Sequence, residues 1–457
     1  MKHLALVNAL SEILNFEPFA RKGSSPDEGL RRAKQLVSSR TGIIASVEFQ
    51  HMRAGEPPVF WAHSCPPQCF QGTQLRIQHH GFGVSTDGKR AAMKSIGESI
   101  ERYCAVPPPA SELLYGNYRT LKLKVAAQNP EKLTFFSSLQ FQSPRMPFAR
   151  LTSDCDLHWV QGISLVTGEE VYVPAFLVFV PWPLSTADYR PEKRYAHSIS
   201  TGLACGPTFE TAIYRGLLEV IERDAFMLSW RHQRQMPSLD RNIATQPLSK
   251  SLLRVMDKLP VSMSIKNATI DIPVNVVLVS LTSRTGNFPQ FAMGAGADFD
   301  QEFAFTLAME EALLCYCGLS RVEYPEAINV EDELANGINP LALHGLAHAT
   351  QSVLRSSRRC LEDATASSTE QGFENPRTTG ELVRRLAAQG YEAIGVDLTS
   401  PDVDAAGFKV TRVLVPGLQP LDIDQRWPYL GPQRINSHTD AEAELHDAIR
   451  RLPHPFA

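Results

Sequence analysis

The chain has 457 residues, a net charge of −4 and an isoelectric point near 6.4, and 43% of it is hydrophobic. That balance provides for large cores but gives no global field to gather nucleic acid or an anionic membrane. No apolar run reaches the about 18 residues of a membrane helix, the short run at residues 4–10 passes straight into polar residues rather than forming a signal, and eight cysteines in so long a chain make no disulfide framework, so a reducing cytoplasm is expected.

Residues 1–16 have the spacing of a short amphipathic helix, 21–27 read as a loop with a capping signal, and 31–37 look helical. A turn at 38–42 and a strand at 43–49 follow. Residues 50–80 are rich in Pro, Gln and His. His63, His79 and His80 fall there with Cys65 and Cys69; a metal site is conceivable, but the irregular spacing favours loop and strand. Gly81-Phe82-Gly83 reads as a turn whose N–H groups could face a phosphate, and Ser85-Thr86-Asp87 as the N-cap region of a helix over 90–104. Inside that helix, Glu98-x-x-Glu101-Arg102 sets two carboxylates on one face, because positions i and i+3 coincide there.

Three prolines at 107–109 stop the helix. Residues 157–165 and 170–180 read as an antiparallel pair turning at Thr167-Gly168, and 181–194 as a Pro-broken connection suited to an active-site loop. The stretch 201–230 then runs from small residues, Gly202, Ala204 and Gly206, into a helix carrying Glu219-x-x-Glu222-Arg223-Asp224. One such pair would read as a solvated acidic face relieved by its arginine. Two in the same Glu-x-x-Glu-Arg order point instead to helices that jointly hold a hard divalent cation, leaving positions for substrate phosphates, with arginine gripping phosphate oxygens. A third acidic pair, Glu310-Glu311, lies in the helical run 303–316 after the Gly-rich 294–300.

Between these, 241–259 is helical in its second half, and 273–281 is a strand with 290–294 as its hairpin partner. Residues 352–374 read as a mobile loop around a short helix. A helix over 378–389 is capped by Gly390, strands at 391–397 and 409–416 make a small α/β unit, and 441–452 is helical before the tail Pro453-His454-Pro455-Phe456-Ala457.

The segments GFG…IGESIERYCA, STGLACGPTFETAIYRGLLEVIERDA, GAGADFDQEFAFTLAMEEAL, VLVPGLQPL and LPHPFA resemble the YcaO family, in particular the stand-alone cyclodehydratases of thiazole- and oxazole-modified peptide pathways. The length alone would suggest about three domains. The resemblance implies instead an N-terminal extension (1–34) and one catalytic domain (35–457) with a C-terminal α/β portion (376–457). It implies an α+β fold in which ATP lies between helices packed on mixed or antiparallel sheets. Matched by position, Glu98, Glu101, Glu219, Glu222 and, in preference to Glu310, Glu311 would bind Mg2+. Arg102 and Arg223 would meet phosphates, and Lys94, Ser95, Glu98 and Glu219 would border the nucleotide. Three positions depart from the pattern: Lys94 stands where many relatives have Ser, Pro207 where they have Asn, and Leu314 or Cys315 where they have Gln.

The implied activity converts Cys, Ser or Thr of a ribosomal precursor peptide to azolines. The side chain adds to the preceding carbonyl, and phosphorylation makes the amide oxygen a leaving group. Pro453, Pro455 and the carboxylate of Ala457 would form a docked catalytic tail, although a Pro-rich terminus alone reads as disorder. The implied partners are the precursor peptide, a separate leader-binding protein (ubiquitin-activating-enzyme-like or recognition-element), a flavin dehydrogenase and a second copy in a homodimer. Two other readings stay open: a YcaO enzyme forming thioamides or amidines, and a non-catalytic partner of the same fold.

Overall fold

The structure is a computed structural model and describes residues 2–18, 26–53, 55–67, 80–183, 189–322, 342–350, 359–362, 374–432, 434 and 453–456. In place of one helix over 1–16 there are two, α1 (Lys2–Asn8) and α2 (Leu10–Leu14), breaking next to Asn8, a residue that competes for its own backbone. Helix α3 (Pro26–Ala33) begins earlier than the hydrophobic spacing suggests. Pro26 opens it and Asp27 and Glu28 fill its first turn, the groups a helix N-terminus favours. Strands β1 (Ser46–Phe49), β2 (Phe60–Cys65) and β3 (Gly81–Ser85) then precede α4 (Gly88–Cys104).

Next come β4 (Leu114–Gly116), α5 (Tyr118–Leu121), β5 (Leu157–Ser164), β6 (Glu170–Pro174), β7 (Leu203–Gly206) and α6 (Phe209–Arg231). They are followed by α7 (Pro247–Met256), β8 (Val261–Asn267), β9 (Asn275–Ser283), β10 (Phe291–Asp298) and α8 (Gln301–Leu319). The described remainder holds α9 (Ala342–Thr350), α10 (Arg359–Glu362), α11 (Thr379–Ala388), β11 (Ile394–Asp397), α12 (Pro401–Ala405) and β12 (Lys409–Leu414). The helix expected over 441–452 lies outside the described residues, as does most of the loop expected over 352–374.

The fold is α+β, and every ladder between named strands is antiparallel. Two three-stranded sheets have the orders β1-β2-β3 and β10-β9-β8; the third runs β4-β5-β11-β12-β7, with β6 added to β5. The C-terminal strands β11 and β12 thus lie inside the large sheet, between β5 and β7.

One unit recurs: a strand of small residues, a capping side chain, then a long helix laid back on the strand. It occurs as β3–α4, β7–α6 and β10–α8, capped by Asp87, Thr208 and Asp300. The segment Gly81-Phe82-Gly83 is therefore a strand and not the expected turn. Its glycines are there for contact: a Cβ on Gly81 would lie 1.9 Å from the Ser95 carbonyl oxygen, and one on Gly83 2.2 Å from that of Ala91. Gly296 meets the Ala304 carbonyl of α8 in the same way, at 2.2 Å. In the middle unit the helix also supplies a glycine, Gly216, whose Cβ would come 2.7 Å from the Gly202 oxygen. Each helix also packs on the next unit's strand: α4 on β7, α6 on β10, α8 on β3. The three units close a ring. Helix α6 is buried almost all round within it, which explains why its apolar spacing is only loosely periodic.

Candidate functional site

Glu98, Glu101, Glu219, Glu222 and Glu311 face the interior of this ring, and each is aimed by a backbone amide in or next to one of the three strands. One Glu of each helix accepts from its own unit's strand region: Glu98 from the Phe82 N–H at 2.7 Å, Glu219 from Gly202 at 3.0 Å, Glu311 from Ala295 at 2.6 Å. The second accepts from the next unit: Glu101 from Cys205 at 2.7 Å, and Glu222 from Ala297. The Arg223 guanidinium stands among them, 3.6 Å from Glu222, 3.7 Å from Glu219 and 3.8 Å from Glu311. Those are charge contacts rather than hydrogen bonds, and its buried Nη1 has no hydrogen-bond partner among the described residues. Arg102 bonds Glu98 one turn away.

Negative charge outweighs positive here, and its carriers are partly shut off from water. Burial, reinforced by neighbouring carboxylates, pushes Glu101 and Glu222 up to about 8. Burial also raises Glu98 and Glu219. Such a cluster relieves itself by taking up protons or a cation. Its donors are all carboxylate oxygens, which fits a hard divalent ion, and the unsatisfied Arg223 donor fits a phosphate oxygen.

The structure separates the other expected residues from this cluster to different degrees. Glu310 turns away from Glu311: Arg90 grips it with two bonds of 2.8 and 2.9 Å and Lys94 adds a third at 3.1 Å. Burial alone would push Glu310 up, but Lys94 and Arg90 hold it down at about 2. Lys94 is thus committed to Glu310 while its charge also reaches Glu98. Ser95 is fully buried where α4 meets β3, and its hydroxyl donates to the Ala92 carbonyl at 2.9 Å. The structure does not bring that hydroxyl to the acidic cluster.

The tail is docked. Pro453 accepts a bond from His348 at 2.8 Å, His454 donates to the Asp422 carbonyl at 2.8 Å, and the His454 ring stacks on His344 at 4.3 Å. Phe456 lies over the Arg223 guanidinium at 3.8 Å and against Phe226 at 5.1 Å. Ala457 lies outside the described residues. The loop that receives the tail hangs from α6: Asp224 accepts from the Gln419 N–H at 2.8 Å and pairs with Arg434, and Arg231 pairs with Asp422.

Sequence reasoning missed Arg90, Arg412 and Phe456. Arg412 is buried on β12 beside Glu219, its Nε and Nη1 without hydrogen-bond partners among the described residues, and burial lowers it to about 10. A charge inside the apolar run KVTRVL was the available signal.

A family model described as "YcaO cyclodehydratase, ATP- and Mg2+-binding" matches residues 82–419. A protein of Methanothermobacter thermautotrophicus, described only as uncharacterized, is 26% identical over 410 residues, 87% of this chain and 95% of that protein. A solved heterocyclase in complex with substrate and cofactor superposes with a TM-score of 0.70 at 21% identity, over 89% of this chain and 54% of that one. The chain therefore spans about half the length of that heterocyclase. The YcaO protein of Methanopyrus kandleri, solved with AMPPCP and Mg2+, gives a TM-score of 0.61 at 23% identity, over 87% of this chain and 92% of that one.

Proposed function

The chain belongs to the YcaO family, whose ligands are ATP and Mg2+, and from that premise we propose that it is an ATP-dependent peptide cyclodehydratase forming azolines from Cys, Ser or Thr. The observation that carries the reading is the cluster of Glu98, Glu101, Glu219, Glu222 and Glu311 about Arg223, each carboxylate pinned by a strand N–H. These five residues would hold Mg2+. Arg223 and Arg102 would meet phosphate oxygens, with Glu98 and Glu219 bordering the nucleotide. Lys94 and Ser95 support the site indirectly, Lys94 by neutralising Glu310 and Ser95 by seating α4 on β3. When bound, ATP would supply the phosphoryl group that turns a backbone amide oxygen into a leaving group, and Mg2+ would neutralise the charge on its phosphates.

The chain's own part is alignment and charge. Because the strand amides fix the carboxylates before any ligand arrives, little reorganisation is left for the reacting complex. The Arg223 Nη1, which has no hydrogen-bond partner among the described residues, offers stabilisation where negative charge develops. The tail completes the wall: Pro453 and Pro455 restrict the backbone that presents Phe456 to Arg223, which lowers the ordering cost of that arrangement. We assign Pro453, Pro455 and Phe456 a positioning role toward the substrate amide, with Ala457 next in the chain. The precursor peptide is delivered by a separate leader-binding protein, a flavin dehydrogenase acts on the azolines afterwards, and the enzyme works as a homodimer.

The test combines the protein, MgATP, a Cys-rich precursor peptide and the leader-binding protein, and reads the product by mass spectrometry. The expected result is one water lost per ring with matching phosphate release, abolished by Glu101→Gln and by Glu222→Gln. With sulfide added to the same mixture, exchange of oxygen for sulfur in place of water loss would replace azoline formation by thioamide formation, and phosphate release unaffected in both variants would remove the metal assignment.

A further inference from the structure

We propose that the face of the β1-β2-β3 sheet turned away from α4 carries a second, chemically distinct metal site, in which the half-buried His63, Cys65 and His80 bind a borderline divalent cation of the Zn2+ class. His63 and Cys65 are two apart on β2 and so share a face. The register sets Phe82 opposite His63 and Gly81 opposite Ser64, which brings His80, one residue before β3, alongside Cys65. Gly81 and Gly83 press the other face of the sheet onto α4, so the cluster sits on the side away from that helix.

The donor atoms are already gathered. His63 Nε2 lies 2.9 Å from His80 Nδ1, and Cys65 Sγ lies 3.6 and 3.9 Å from the two nitrogens of His63. One ligand atom from each residue fits within a span of 4.8 Å. A tetrahedral Zn2+ with its usual bond lengths separates two nitrogens by about 3.3 Å and a nitrogen from a sulfur by about 3.6 Å. The two pairs that include His63 lie within a few tenths of an ångström of those separations, and the remaining pair, Cys65 with His80, lies within 4.8 Å, so rotation of the Cys65 and His80 side chains would close the set around an ion. Two imidazoles and a thiolate select a borderline cation, whereas the carboxylate cluster of the ring selects a hard one, so the two sites do not compete for the same metal. Glu48 lies opposite His63 on β1, its carboxylate held by the Ser46 hydroxyl at 2.8 Å, and water would fill the fourth position. Binding releases the Cys65 thiol proton and leaves both imidazoles neutral, in the tautomers that present the ligating nitrogens.

The site would act as a clip between β2 and β3. Phe82 stacks on His63 with ring centres 4.6 Å apart, and its N–H is the one that aims Glu98. The ion would therefore stiffen the strand that positions one of the carboxylates, without touching nucleotide itself.

The full-length protein, stripped with chelator and kept in excess Mg2+ to fill the carboxylate site, is titrated with Co2+. The expected spectrum shows one equivalent bound, a thiolate-to-Co2+ charge-transfer band and the intense visible bands of low coordination, bleached by Zn2+. Cys65→Ser should lose the charge-transfer band, His80→Asn should weaken Co2+ binding by about tenfold or more, and Cys155→Ser should change neither. Absence of the band in the wild type, or its persistence in Cys65→Ser, overturns the proposal. If Cys65→Ser does not fold, His80→Asn decides on the same spectrum: unchanged affinity and bands overturn it. The readout does not depend on ATP turnover, so the proposed activity and this site stand or fall separately.

Discussion

A buried carboxylate can relieve its desolvation by binding a proton or a cation, and Glu101 and Glu222 are poised between the two. Their folded values near 8 exceed the ordinary 4.5. A raised acid contributes stability that is fully present below pH 4.5 and is lost as pH rises through about 8, so the metal-free protein should lose stability across that window. Mg2+ affinity should run the other way, rising with pH to about 8 and then levelling, with protons released on binding below it. Calorimetry in buffers of different ionisation enthalpy measures both. Above pH 8, where Glu222 is ionised, Glu222→Gln removes one charge from the crowd. The metal-free variant should melt higher, by about 2 °C for each kcal/mol of repulsion relieved, while Mg2+-dependent nucleotide binding is lost. The sequence made this much legible, because Glu-x-x-Glu-Arg on two helices is a local, repeated pattern. It gave no sign of Glu222's amide partner, which lies 75 residues further on at Ala297, nor of Phe456 over Arg223, since periodicity reports only on neighbours.

Among the elements, the glycine-bearing strands were the hardest to read. Gly81-Phe82-Gly83 has turn composition, yet what fixes its state is the helix backbone packed less than a side chain away. Helix α6 is legible from the near-helical spacing of Ile213, Leu217, Val220 and Met227 together with its motif, although burial on nearly all sides blurs that spacing. The connection from β12 to the tail depends on α6 in turn. Asp224→Asn would take the charge from a site that holds both Arg434 and the Gln419 amide, and should cost about 3 kcal/mol in denaturant unfolding, the usual penalty for stranding a buried partner. The docked tail adds a pH dependence. Burial lowers His344 from 6.5 to about 4, and its stacking partner His454 is also lowered by burial. An undocked tail protonates near 6.5 and a docked one resists, so docking should be intact above 6.5 and weaken as pH falls toward 4. Hydrogen exchange at the His454 and Phe456 amides should rise over that interval, ahead of the core.

Taken as a whole, the molecule is held by a circular dependence that no single unit satisfies. The first unit's helix aims Glu101 at the second unit's strand, the second aims Glu222 at the third, and the third returns Glu310 to Arg90 across 220 residues. The closing contact is the least local of the three and so the most expensive in chain entropy, which places it late in folding. We predict that the metal ligands come into register only on the native side of the rate-limiting barrier. A ligand that recognises a feature absent from the transition state lowers the native state without lowering the barrier. MgATP should accordingly leave the refolding rate where it is and slow unfolding in proportion to its occupancy, making the nucleotide a lock on an already finished chain rather than a template for making it.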